Sequence, residues 1–139
     1  MTTRIGRLVN VKQRAVDEAA AALVAAQAVT AAAEQLLEST QLAMAAALDR
    51  RTSARTMADL VDMDAYARSL QKAVQRAYAS LRARQKDEGH LMVAVTEARM
   101  ELRRFEMWGE RASATQEAVA ARLARVAEDD LAARKRREA

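Results

Sequence analysis

The chain has 139 residues, a net charge of +4, no cysteine, no proline and only three glycines. The lack of cysteine excludes disulfides and thiolate metal sites, and a single histidine, His90, excludes a histidine-rich metal site. Hydrophobic residues make up 51% and aromatic residues 3%, and much of the apolar part is alanine, which buries too little area for a thick globular core.

Membrane and secretion signals are not expected. No apolar run approaches the roughly 20 residues that cross a bilayer. The opening residues, MTTRIGRLVNVKQR, lack the apolar segment of a signal peptide, so we expect the protein to stay in the compartment where it is made. Basic residues cluster near both ends, which favours either an acidic partner surface or a solvated tail.

The first predicted element is a helix over about residues 3–50, in which small and apolar residues repeat every seven positions. A stripe of this kind, about six heptads long, is typical of a helix that packs against another helix. It has three neighbouring rows: a first row of Val9, Val16, Leu23, Thr30, Leu37 and Met44; a second row of Leu8, Ala15, Ala22, Val29, Leu36 and Ala43; and a third row of Ile5, Lys12, Ala19, Ala26, Ala33, Thr40 and Ala47.

The heptad pattern is lost after residue 49, which predicts a turn over about residues 51–61. Asp59 or Asp62 is expected to cap the next helix, because a carboxylate can accept a hydrogen bond from a free N–H at a helix start.

The second predicted helix covers about residues 62–136. One of its rows is Met63, Leu70, Ala77, Arg84, Leu91, Ala98, Phe105, Ala112, Val119 and Val126; the other is Ala67, Val74, Leu81, Glu88, Val95, Leu102, Gly109, Gln116 and Leu123. Arg84 and Glu88 interrupt the apolar rows beside Gly89. We expect a local loosening there, because glycine within a helix costs about 1 kcal/mol against alanine.

These elements predict an all-α fold, a single domain over residues 1–139 built as a long two-helix antiparallel coiled-coil hairpin. A short turn makes the helices antiparallel, with facing residue numbers that sum to about 112. The second helix is longer and should overhang by its last ~28 residues. Such a fold offers no concave pocket, so we expect no catalysis and no cofactor.

Phe105 and Trp108 are the only Phe and Trp, and both lie in the charged stretch ELRRFEMWGERAS. Phe105 should pack against the first helix near Arg7 and Leu8. Trp108 either closes that end of the helix pair or stays partly exposed and docks a partner, as tryptophan often does at interfaces.

Four segments, in order, resemble a known family: RLVNVKQRAVDEAAAAL, DAYARSLQKAV, MELRRFEMWGERAS and VAEDDLAARKRR. They resemble the flagellar type III export protein FliJ and the related YscO-like stalk proteins of virulence secretion systems. The resemblance covers most of the chain. It implies a non-enzymatic antiparallel coiled coil, similar to the central stalk of rotary ATP synthases, that lies in the pore of a hexameric export ATPase (FliI-like) and promotes its assembly and activity.

The resemblance also implies contacts with the cytoplasmic domain of an FlhA-like export gate and with export chaperones. DAYARSLQKAV resembles the gate-contacting segment, and AAEQLLESTQL resembles its companion on the first helix. The implied gate residues are Gln35, Leu42, Tyr66, Leu70, Ala73 and Ala77. Ala77 and Ser39 depart from the family pattern.

By the same resemblance, the end opposite the turn would enter the ATPase ring. The implied ring residues are Arg4, Arg7, Trp108, Glu110, Arg111, Arg122, Arg125, Asp129 and Asp130. The implied location is cytoplasmic, at the inner-membrane face of the export apparatus.

Three other interpretations remain open. The chain could be a generic coiled-coil adaptor, the equivalent stalk protein of a virulence system, or a protein that binds nucleic acid or membrane surfaces through its basic ends. The alanine-rich stripe and the 19 acidic residues speak against the last of these.

Overall fold

The computed structural model describes residues 4–138. Helix α1 is Arg4–Arg50, a short 3₁₀ helix follows at Arg51–Ser53, and helix α2 is Met57–Glu138. No strand occurs in residues 4–138. The all-α fold of two long helices is therefore confirmed, and α2, with 82 residues, is longer than α1, with 47.

Helix α2 begins at Met57, about five residues earlier than expected, so the connection is shorter than 51–61. Its N-cap is Thr56, whose Oγ1 accepts a hydrogen bond from the backbone N–H of Asp59 at 3.1 Å. The expectation that Asp59 or Asp62 caps the helix is wrong, because both lie inside α2. Asp59 lies instead in the first turn, where a negative charge is favourable.

Helix α2 continues through Gly89 without interruption, and no described glycine has a positive φ. The local loosening expected near Gly89 is not found in the backbone. Strong helix formers on both sides of a single glycine are enough to keep the helix continuous.

Two compact units make up the described chain: one contains residues 4–16 and 97–138, and the other contains residues 17–96. The expectation of a single domain over residues 1–139 stays a prediction.

In the unit of residues 17–96, the two helices pair in antiparallel order. Arg51 Nη2 lies 2.7 Å from Asp64 Oδ1 beside the turn. Further from the turn, Leu36 of α1 lies in the same groove as Ala73 and Ala77 of α2. The buried residues are small or of medium size: Thr30, Ala47, Ala67, Ala77, Leu81 and Val95.

In the unit of residues 4–16 and 97–138, the pairing is also antiparallel. Lys12 Nζ lies 3.0 Å from Glu101 Oε1, and a Cβ placed on Gly109 would lie 3.3 Å from Ile5 Cγ2. Val16 and Leu102 are buried in this unit. The numbers of the cross-helix pairs sum to 113 for Lys12 and Glu101, 114 for Ile5 and Gly109, and 115 for Arg51 and Asp64. These sums exceed the expected value of 112 by one to three, so the helices are paired close to the expected register.

Only two of the three predicted rows of α1 face α2. Every member of the first and third rows is buried or half-buried, whereas in the second row only Ala43 is. Placing the second row in the contact was wrong. The contact between two packed helices is narrow. Residues of the first and third rows together alternate three and four positions apart, and they fill the width of this contact. The next row therefore lies on the flank, which leaves Leu36 57% exposed.

The two predicted rows of α2 are confirmed as contact rows as far as Ala112, apart from the exposed Arg84. Every residue from 113 to 138 is exposed. We call residues 113–138 the exposed segment. Val119, Leu123 and Val126 continue the rows into it without being covered in the described structure.

One stretch of 18 residues within Arg4–Ser53 has a mean hydropathy of 1.4, so this helix could cross a membrane by length and composition. The expectation that no segment is apolar enough is wrong by this measure. Alanine is the reason, because residues 19–33 carry no charge and are mostly alanine. The core helix of a non-membrane protein and a signal sequence pass the same test, and 6% of this stretch is buried in the described structure.

Candidate interaction surfaces

A shallow groove lies on one face of α2 around Trp108. We call it the tryptophan groove, and its lining residues are Met100, Arg103, Arg104, Met107, Trp108 and Arg111. Positions 100, 104, 107, 108 and 111 fall on one side of a helix with 3.6 residues per turn. The groove is therefore a property of a single helix face.

The two large aromatic residues have separate roles. Phe105 is half-buried in a contact row, and Lys12 Nζ lies 5.4 Å from its ring centroid. Lys12 is thus one contact of Phe105 on α1, and the expected packing near Arg7 and Leu8 stays a prediction. Trp108 stands edge-on to Phe105, with ring centroids 5.0 Å apart and planes at 71°, and is 49% exposed. Phe105 therefore contacts α1 through Lys12, and Trp108 offers half its surface to solvent.

The charges around the groove are unevenly paired. All three glutamates of this stretch have a cation: Glu101 pairs with Lys12 at 3.0 Å, and Glu106 and Glu110 both pair with Arg103, at 3.4 Å and 3.3 Å. Arg104 and Arg111 form no ion pair with any residue of the described range 4–138. The groove therefore has an apolar floor and two arginines without an ion pair, beside three glutamates that share two cations.

The implied gate residues all lie in the unit of residues 17–96, but the structure divides them. Ala73 and Ala77 line one groove with Leu36, Thr40, Arg76 and Ser80. Tyr66 lines another with Ala47, Arg50, Asp62 and Met63. Leu70 is half-buried in a contact row. Gln35 and Leu42 are exposed on α1 and belong to neither groove.

Exposure separates the gate residues that can meet a partner from those that cannot. Tyr66 is 53% exposed and Leu42 65%, whereas Ala77 is only 6% exposed and packs between the helices. The neighbour missed by sequence reasoning is Leu36, because it was assigned to the contact rows. Its position immediately before Leu37, a contact residue, is the signal that places it on the flank.

The implied ring residues lie at three places. Arg4 and Arg7 are exposed in the first two turns of α1. Trp108, Glu110 and Arg111 are at or beside the tryptophan groove, with Glu110 paired to Arg103. Arg122, Arg125, Asp129 and Asp130 are all exposed in the exposed segment.

Sequence reasoning missed four lining residues of the tryptophan groove: Met100, Arg103, Arg104 and Met107. Their spacing relative to Trp108 is the signal that could have found them, because it places them on the helix face opposite the contact rows.

No protein-family model matches this chain, and no curated protein and no solved structure is significantly similar to it.

Proposed function

We propose that this protein is the central stalk and chaperone escort of a flagellar type III export apparatus, where it binds a hexameric export ATPase and an FlhA-like export gate. It acts without catalysis or cofactor of its own, in the cytoplasm at the inner-membrane face of the apparatus. Support comes from the four segments that resemble the FliJ family in order and spacing.

The observation that carries the proposal most is the exposed segment. Residues 113–138 form one uninterrupted helix, exposed on every side, beyond Ala112, the last half-buried residue. Helices in proteins owe most of their stability to packing, so we expect a long helix without packing to gain a partner in its working state. A ring pore lined by several identical subunits is a partner that surrounds a helix on all sides.

The charges of the exposed segment suit a ring whose subunits hydrolyse ATP one after another. Arg122 and Arg125 lie on the same helix as Asp129 and Asp130, and all four are exposed. Exposed ion pairs contribute only about 0–1 kcal/mol each. Contacts this weak can break at one subunit and re-form at the next, whereas a large apolar contact would hold one position.

ATP hydrolysis by the cognate ATPase is the test. Adding the protein should raise the rate, most strongly at low enzyme concentration, where assembly of the hexamer limits activity. Replacing Arg122 and Arg125 together with glutamate should reduce the stimulation. The matched control replaces Arg82 and Lys86, which are exposed in the unit of residues 17–96, with glutamate and so makes the same change of charge outside the exposed segment. If the protein does not raise the rate of ATP hydrolysis at any concentration of a full titration, the proposal is wrong.

Binding to the gate domain separates the stalk from a generic adaptor. Tyr66→Ser should weaken gate binding, because Tyr66 is exposed and lies in the segment that resembles the family's gate contact. Tyr78→Ser is the control, since Tyr78 is 52% exposed against 53% for Tyr66. Equal gate binding by the two variants and the unaltered protein, measured by calorimetry, favours the adaptor.

A further inference from the structure

We propose that the tryptophan groove binds an acidic amphipathic helix of a partner protein, with the apolar face of that helix on Met100, Met107 and Trp108 and its carboxylates beside Arg104 and Arg111. The inference goes beyond the stalk role, because it defines the chemistry of the groove's occupant. It rests on the proposed function in one respect only: the ATPase ring, for which Trp108 and Arg111 are proposed contacts, would be one such partner.

The floor of the groove has the residue types of an interaction site. Met100 is 66% exposed and Met107 39%, and both lie on the same helix face as Trp108. Methionine adapts its shape to different apolar side chains, and tryptophan and arginine are enriched among the residues that dominate binding energies. Trp108 is the only tryptophan of the chain, and its half-exposed position leaves a large apolar surface in contact with water.

The charges select the sign of the partner. Glu101 pairs with Lys12, and Glu106 and Glu110 share Arg103, so Arg104 and Arg111 are the arginines of this stretch that remain to attract carboxylates. Carboxylate and guanidinium match in two parallel hydrogen bonds, which gives such a contact direction as well as attraction.

The shape of the groove selects a helix. Its lining spans residues 100–111 of α2, about three turns or ~16 Å along one face. A partner helix that lies along this face can place residues at i and i+7, about 10 Å apart, against Met100 and against the adjacent pair Met107 and Trp108, as in helix-in-groove complexes.

Other occupants fit the groove less well. A second copy in a two-fold contact would bring the same face against itself and set Arg104 and Arg111 against their own equivalents, which is repulsive. An anionic membrane or a nucleic acid presents negative charge over an area wider than the groove, so it would also meet Glu106 and Glu110, which lie outside the groove and share one arginine. The charges favour a protein helix that carries acidic residues only at the positions facing Arg104 and Arg111.

Selection from a display library tests the proposal on the full-length protein. Library members are helices with a fixed leucine face and random flanking residues. We expect the retained helices to be enriched in Asp and Glu, and to be lost when Arg104 and Arg111 are both replaced with glutamate. The control replaces Arg134 and Arg137 with glutamate and should retain them. Circular dichroism checks that each variant keeps its helix content.

A retained helix is then titrated against the protein, with fluorescence of Trp108, the only tryptophan, as the readout. We expect a blue shift and an affinity that falls with salt. The Arg104 and Arg111 double variant should bind about tenfold or more weakly, by loss of charge pairing. Binding of a labelled helix to Trp108→Ala should weaken about tenfold or more.

Four results overturn the proposal. These are no enrichment of acidic helices, equal retention by the double variant, a Trp108 shift with anionic vesicles or DNA but not with helices, and self-association that the double variant abolishes. The test is independent of the stalk role. If the protein stimulates the ATPase but binds no acidic helix, only the groove proposal is wrong. If it binds an acidic helix but does not stimulate the ATPase, only the proposed stalk role is wrong.

Discussion

Gly109 lies where α1 approaches α2 within a single unit. A methyl group at this position would stand 3.3 Å from Ile5 Cγ2, a distance that requires Ile5 to move by a few tenths of an ångström. Gly89 on the same helix has nothing within 4 Å of the corresponding point. The two glycines therefore differ in packing while sharing the low helix propensity of glycine.

This difference predicts different effects of the same substitution. Gly89→Ala should raise the free energy of unfolding by about 0.5–1 kcal/mol, because alanine is the better helix former and meets open space. Gly109→Ala should give a smaller gain, since displacement of Ile5 offsets part of it. Urea unfolding followed by circular dichroism measures both. Equal gains at the two positions would mean that Gly109 is not a site of close approach.

At the scale of the element, Leu36 and Leu37 are adjacent and chemically identical but lie on different faces of α1. Leu37 is half-buried in a contact row, and Leu36 is 57% exposed beside Ala73. Leu37→Ala should lower the free energy of unfolding by about 2 kcal/mol or more, through lost apolar burial and the cavity left behind. Leu36→Ala should change it by less than about 0.5 kcal/mol, because surface substitutions have small effects.

The same urea titration decides which rows meet α2. A larger loss from Leu36→Ala than from Leu37→Ala would restore the second row to the contact and contradict the register described above. The thermal midpoint of each variant gives an independent check.

The heptad spacing of Val9, Val16 and Leu23 was enough to predict a helix that packs on a helix, and the rows of α2 were predictable to Ala112. The flank position of Leu36 was not, because a periodic apolar stripe does not state how wide the contact is. The cap was also missed, because Thr56, Asp59 and Asp62 are all acceptable N-cap types and only the helix start distinguishes them. The tryptophan groove was missed because its residues serve no internal packing.

At the scale of the whole molecule, the described chain has an uneven distribution of packing. The most deeply buried side chains, such as Val95 at 3% exposed and Ala47 at 4%, lie in the unit of residues 17–96, whereas residues 113–138 are exposed throughout. Helices in proteins owe most of their stability to packing and little to propensity. Local stability should therefore fall along α2 beyond Ala112.

Hydrogen exchange measures this fall directly. We expect the amides of residues 113–138 to exchange much faster than those of residues 67–102, because their helix can open without unfolding the packed pair. Under the proposed function, binding of an export ATPase should slow exchange in residues 113–138. Protection of 113–138 equal to that of 67–102 in the free protein would show that this segment is already packed.

The central claim is our proposal that this chain is an export stalk, with residues 113–138 in the ATPase ring and the segment around Tyr66 at the gate. Cross-linking in the native cell tests this claim most directly. The chain has no cysteine, so one cysteine placed at Ala124 or at Ser69, both exposed, gives a unique attachment point. A short cross-linker followed by mass spectrometry should join position 124 to the export ATPase and position 69 to the gate domain. If position 124 captures no ATPase subunit while the ATPase is present in the same cells, the account of this protein as a stalk is contradicted.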